Sequence, residues 1–156
     1  MQLQADMLFE AVSRFKRLHL IERLGMMPHS ETAAMKAILY YSQQSETEGC
    51  NVTDIAKRIH VSVPMVSKTV KRLREKGLID YVSNQNDRRN VLLVVNSKGK
   101  EALKENAAII SSFISRTIAR MESGEAEQLF CLFNKFYDCT EQELEQTSQK
   151  MKPNSK

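Results

Sequence analysis

The sequence predicts a mainly α-helical chain with one small β-hairpin and helices on both sides of it. Three observations predict this class. Apolar residues recur at helical three- and four-residue spacing over most of the chain. Two short β-prone runs, "LIDYVS" and "VLLVV", flank the polar turn "NQNDRRN". Residues that start and stop helices stand where those patterns begin and end.

The elements follow in order. From Ala5 to about Leu24, Met7, Leu8, Ala11, Val12, Phe15, Leu18 and Ile21 keep helical spacing and predict one helix. "GMMPHS" interrupts it, and Ser30 is the expected N-cap of a second helix to about Gln43. "SETEGCN" reads as a loop. Thr53 is the expected cap of a short helix, "TDIAKRI", which His60 ends because histidine tolerates left-handed backbone. A further helix begins after Ser62, carries Pro64 in its first turn and stops at Gly77. The strands come next, over about 78–83 and 91–95. Asn96 or Ser97 caps a long helix to about Met121, with Ala102, Leu103, Ala107, Ile110, Ile114 and Ile118 as its main face. After "ESGEAE", a last helix with Leu129, Leu132, Phe133, Phe136 and Tyr137 runs to about Gln146. The ending "SQKMKPNSK" should fray. The organisation expected is an N-terminal helix (1–28), a central segment with the short helices and the hairpin (29–100), C-terminal helices (101–147) and a flexible tail (148–156).

Composition excludes several classes. The chain has 156 residues, 42% hydrophobic and 27% charged, as in an ordinary globular protein. No run approaches the roughly 18 apolar residues of a membrane span. "MQLQADMLFE" lacks the basic and apolar regions of a signal peptide, so a cytoplasmic protein without a membrane partner is expected. Cys50, Cys131 and Cys139 show no C-x-x-C spacing and read as free thiols, with Cys131 of "LFCLF" expected as a small buried hydrophobe. His19, His29 and His60 are isolated, so no metal and no cofactor is expected. Neither G-x-S-x-G nor a phosphate-binding loop occurs, so the chain is not expected to be an enzyme.

The net charge of +4 is uneven. Between Val52 and Lys100 stand 11 Lys/Arg against 4 Asp/Glu, or +7, leaving 12 against 15, or −3, elsewhere. A basic excess confined to one third of the chain suits a polyanion. It coincides with "VTDIAKRIHVSVPMVSKTVKRL", which has the form of a helix-turn-helix. Val66, Val70 and Leu73 would bury one edge of the second helix. Pro64, Ser67, Lys68, Lys71 and Glu75 would face outward, with Met65 and Arg72 flanking. Small residues near the helix start allow close approach to base edges, and Lys68, Lys71 and Arg72 can bind bases or phosphates. A basic hairpin tip after such a pair makes a winged helix, whose arginines suit a narrow minor groove.

Residues 39–100 resemble the MarR family of winged-helix transcription regulators. The resemblance rests on "VTDIAKRIHVS", "VSKTVKRLREKGLI" and "NDRRNVLLVVNSKGKE", the last containing the family's D-x-R wing motif. It implies that Arg89 enters the minor groove, that Asp87 braces the wing and that Arg88 is its neighbour on the DNA. It implies that Ser62, Pro64, Met65, Ser67 and Lys68 belong to the recognition helix. Arg72 is expected to bind a phosphate or to pair with Asp87. Thr53 and Lys71 complete the expected contacts with double-stranded DNA. His60 and Asn90 replace glycines of the family pattern.

The resemblance further implies a homodimer built on the outer helices, where Ile109, Ile110, Phe113, Ile114, Phe130, Phe133 and Phe136 supply apolar surface, and hence a palindromic operator. It also implies a small-molecule effector, for which His19, Arg23, His29, Tyr40 and Tyr41 are the candidate lining. The histidine pairs of the zinc-responsive branch and the first-helix cysteine of the peroxide-sensing branch do not occur. The function expected is a ligand-responsive repressor. A non-specific architectural DNA binder, a protein-interaction module and a thiol-switched regulator are the alternatives.

Overall fold

The computed structural model describes residues 2–44, 49–83 and 91–151. Helices α1 (Gln2–Lys16), α2 (Leu20–Arg23), α3 (His29–Gln44), α4 (Val52–Ile59) and α5 (Val63–Glu75) precede strands β1 (Ile79–Ser83) and β2 (Val91–Val95). Helices α6 (Ser97–Ile118) and α7 (Glu125–Met151) follow. The class is mainly α with one antiparallel two-stranded sheet, in which Ile79 pairs with Val95 and Ser83 with Val91. The chain divides into two compact units, 1–111 and 112–156.

In the first unit α3, α4, α5 and the hairpin enclose a single core. Met35, Ile38, Ile55, Leu73, Ile79 and Leu93 are its largest buried apolar side chains. Val66, Val70 and Leu73, the stripe expected on α5, are all buried. Each such burial contributes roughly 1.5–3 kcal/mol against leaving the side chain in water.

Several elements begin or end elsewhere than their sequence suggests. The first helical pattern breaks in two: Leu18 and His19 donate tight backbone hydrogen bonds to Phe15 and Lys16, and His19 takes φ 48°. Helical periodicity reports which face is apolar, not whether one residue leaves the helical basin. Ser30 lies inside α3 rather than capping it, and the carbonyl of Pro28 accepts from Glu31 and Thr32 in its place. Thr53 is likewise within α4. The cap is Asn51, which exchanges hydrogen bonds with Asp54 in a complete capping box. Part of the expected loop pairs with the sheet: Cys50 bridges Leu93 through 2.8 and 3.3 Å hydrogen bonds. Helix α7 runs five residues past the expected end, to Met151.

Expected stops that hold are His60, left-handed at φ 53°, and Gly77, at φ +67°. Asn96 organises the junction after β2. Its Oδ1 accepts from the Gly99 N–H, capping α6, while its Nδ2 donates to the Gly77 carbonyl and to Asp80. Gly99 must be glycine, because a Cβ there would collide with the Leu78 carbonyl and lie 2.7 Å from Val95 Cγ1.

In the second unit α7 presents Leu129, Phe130, Leu132, Phe133, Phe136 and Tyr137, each more than half exposed. Cys131 is exposed too, against the expectation of burial. Its apolar neighbourhood marks a face, and a single chain leaves that face open.

Gly99→Ala is expected to cost about 1–3 kcal/mol, because the obstacle is backbone and cannot rotate away. Thermal unfolding checks this: a lower Tm is expected, and an unchanged one contradicts the close approach of α6 to the hairpin.

Candidate nucleic-acid interface

Helix α4 ends at His60, and the turn through Val61 and Ser62 leads into α5. Val61 N–H donates to the Ala56 carbonyl, closing α4, and Val66 N–H donates to Ser62, opening α5. Ser62 is the N-cap with extended backbone, but its side chain makes no cap hydrogen bond. Pro64, at the helix start, lacks only an N–H that would find no helical partner anyway. A helix-turn-helix results, with α5 fixed by its buried stripe.

That stripe forces the opposite face outward. Ser62, Pro64, Met65, Ser67, Lys68, Lys71 and Arg72 are all exposed, as is Thr53 on α4. Met65 is 59% and Val63 42% exposed, so neither is a core residue. Thr69 instead turns inward, its hydroxyl donating to the Met65 carbonyl at 3.1 Å. Asp87, Arg88 and Arg89, the expected wing contacts, lie outside the described residues.

The basic residues of the central third divide by partner. Arg58 stacks 3.2 Å from the Tyr40 ring centroid and Arg74 4.7 Å from that of Tyr81. Lys98 donates to the Lys76 carbonyl. Lys76 forms a two-pronged ion pair with Glu31, its Nζ 2.7 and 3.0 Å from the carboxylate oxygens. Arg72 Nε lies 3.9 Å from the same carboxylate, and its Nη2 is 3.5 Å from Thr69 Oγ1. Lys71 reaches Glu75 only at 4.0 Å, between two exposed side chains, an interaction worth little in water. Among the described residues Lys57 and Lys68 have no ion-pair, hydrogen-bond or ring partner. The cations left to an external anion therefore include Lys57, Lys68 and Lys71.

Glu31 is the residue that sequence reading passes over. It stands out only as a first-turn acid, yet its side chain is 2% exposed. Its partners come 41 and 45 positions later, and no local pattern reveals such a pair. A carboxylate this buried is stabilised by a cation beside it, and here the two cations reach it from side chains that are themselves half exposed.

A cavity of about 270 Å³ lies beside this cluster, lined by residues 25–28, Lys76, Leu78, Ala102, Glu105, Asn106 and Ile109. Asn106, on α6, is buried and accepts the Met27 N–H at 2.7 Å. The five residues expected to line an effector site lie outside this cavity. His19 is exposed beside Glu22, and Arg23 and His29 are exposed, while Tyr40 and Tyr41 pack edge-to-face at 5.5 Å next to Arg58.

A winged helix-turn-helix with an exposed, partly unpartnered basic face is the DNA-binding architecture of transcription regulators. Residues 44–91, which span α4, α5 and both sides of the hairpin up to the start of β2, match the model of the MarR family. The HTH-type transcriptional regulator BilQ of Clostridioides difficile (strain CD3) is 25% identical over 104 residues, 67% of this chain and 69% of that protein. BilQ of Clostridium symbiosum (strain WAL-14163) is 21% identical over 87 residues, and the match spans 60% of its length. The crystal structure of YusO from Bacillus subtilis shares the fold with a TM-score of 0.68 at 22% identity, covering 88% of this chain and 96% of YusO. So does a mutant of S. aureus MepR bound to an oligodeoxyribonucleotide, with a TM-score of 0.60 at 19% identity and coverage of 87% and 97%.

Cys50 bears on thiol chemistry at this interface. Burial, and secondarily the Asp54 carboxylate, pushes its thiol up from 9.0 to about 12. It stays protonated at neutral pH and is a poor nucleophile. The folded state holds this proton more tightly than the unfolded one. Its contribution to stability is therefore complete below pH 9 and is lost as pH rises toward 12. Alkylation of the native protein at pH 8, with labelled sites read by mass spectrometry, should leave Cys50 unmodified until denaturant is added. Rapid native labelling of Cys50 contradicts its burial.

Proposed function

We propose that this chain is a sequence-specific transcriptional repressor that acts as a homodimer on a palindromic operator and responds to a small-molecule effector. The observation that carries the reading is the exposed face of α5, where Ser67, Lys68 and Lys71 stand opposite a fully buried stripe. Small groups near the start of this helix can approach base edges, and the lysines can take phosphates. Thr53, Ser62 and Pro64 flank it. Arg72 serves a phosphate only as far as its proximity to Glu31 allows. Arg89, braced by Asp87, is assigned to a minor groove by sequence pattern alone, with Arg88 as its neighbour on the DNA.

The exposed apolar residues of α1 and α7 support a second copy as partner. Phe9, Phe15, Phe130 and Phe133 are each at least 66% exposed, far more apolar surface than scattered surface hydrophobes account for. A two-fold dimer would present two α5 helices to half-sites one helical turn apart. For the effector, the cavity offers apolar walls with the Asn106 amide, the Glu105 carboxylate and a lysine already paired with Glu31, which suits a small amphiphile without negative charge. His19, Arg23, His29, Tyr40 and Tyr41 lie outside that lining and are not needed for it.

Met65 and Val63 add a detail of base reading. Apolar groups exposed at the start of a recognition helix match the thymine C5 methyl, the one apolar feature of the major groove.

Selection of bound fragments from a random duplex library tests the whole reading. A palindromic motif is expected, whereas a featureless pool points to non-specific architectural binding. Lys68→Ala and Lys71→Ala should each lower the slope of log K against log salt by about 0.9. The selected operator, resynthesised with deoxyuridine for thymine, should bind about four-fold more weakly, the worth of one buried methyl at roughly 0.8 kcal/mol. Met65→Ala should abolish that difference. An equal response of both proteins to deoxyuridine removes Met65 from base reading.

A further inference from the structure

We propose that Glu31 is a positioning residue for DNA recognition: it anchors the C-terminal end of α5 and so sets the angle at which the helix meets the bases. This rests on the DNA-binding reading above and adds to it a residue that touches no DNA.

Glu31 stands in the first turn of α3, with its side chain 2% exposed. Lys76, the C-cap of α5, grips both carboxylate oxygens at 2.7 and 3.0 Å. Arg72, one turn earlier, brings Nε to 3.9 Å of the same group. Two cations of the last turn of α5 thus converge on one buried carboxylate of another helix. The apolar stripe of Val66, Val70 and Leu73 holds α5 against the core, but apolar contacts are non-directional and tolerate small rotations. A buried carboxylate held through both oxygens adds a directional constraint, even though the Lys76 side chain itself is half exposed. The end of α5 is pinned from a second side as well, because Lys98 Nζ donates to the Lys76 carbonyl at 3.0 Å.

The base-reading residues sit at the other end of the helix. From Lys76 back to Val63 is roughly 20 Å at about 1.5 Å per residue. A tilt of about 5° at the anchored end would therefore displace the N-terminal turn by roughly 1.7 Å. Direct base contacts operate within about 0.5 Å of a best distance near 2.9 Å, so such a shift breaks them. Flexible lysines on phosphates follow it easily. Loss of the anchor is therefore expected to lower specificity, while non-specific affinity is kept.

The test uses the full chain, an operator selected with the wild-type protein, and a scrambled duplex of equal length. Glu31→Gln keeps the shape of the side chain and removes its charge. The ratio of operator to scrambled affinity is expected to fall at least ten-fold, with binding to scrambled DNA within about three-fold of wild type. Hydrogen exchange, measured without DNA, should show faster exchange confined to the last turn of α5. Should Glu31→Gln not fold, the double variant Glu31→Gln/Lys76→Gln also removes the Lys76 charge that the single change leaves unpaired, and is read by the same two measurements. Folded protein with an unchanged affinity ratio overturns the proposal and leaves Glu31 a purely structural residue. If the wild type itself shows no operator preference, it is the DNA reading that fails. The exchange measurement then decides alone whether Glu31 anchors α5, unchanged protection being the result that refutes it.

Discussion

Burial of Val66, Val70 and Leu73 along one edge of α5 is the constraint on which the rest of the molecule depends. Positions four and three apart share a helix face, so hiding these three residues fixes the helix rotation. Everything the helix presents outward follows from that rotation: Ser67, Lys68 and Lys71 have no other direction to take. The hairpin completes the same core through Ile79 and Leu93, so recognition helix and wing share one apolar foundation. Chemistry meant for a partner is held in place by residues that never meet it.

The charge distribution acquires a finer meaning on this frame. A basic excess in the central third is evident from sequence, but its members do different work. Arg58 and Arg74 lie on tyrosine rings, and Lys76 neutralises a buried acid. These cations tie α4, α5 and β1 to their neighbours, while Lys57 and Lys68 remain unpartnered among the described residues. A count of basic residues therefore overstates the surface available to a polyanion. On the proposed reading, a few exposed lysines make contact with DNA and the remaining cations hold the geometry.

How much is legible in the sequence depends on the range of the interaction. The α5 stripe, the Gly77 stop, the left-handed His60 and the antiparallel hairpin are local, and each carries a local signature. The Asn51–Asp54 capping box is equally local, and its N-x-x-D spacing could have been read. The break at His19 is hidden because one residue leaves the helical basin inside an unbroken apolar pattern. Glu31 with Lys76, and Cys50 with Leu93, join positions more than 40 apart, and their residue types are ordinary where they stand. Cys131 misleads for another reason. Spacing identifies an apolar face without saying whether the same chain covers it, and the exposed phenylalanines of α7 share that ambiguity.

Hydroxyl-radical footprinting of the protein on its selected operator tests the central claim most directly. Two exposed α5 helices related by a two-fold axis should protect two segments about one helical turn apart, on one face of the duplex, with two chains bound per site. A single protected segment, or protection spread evenly along the duplex, contradicts the account.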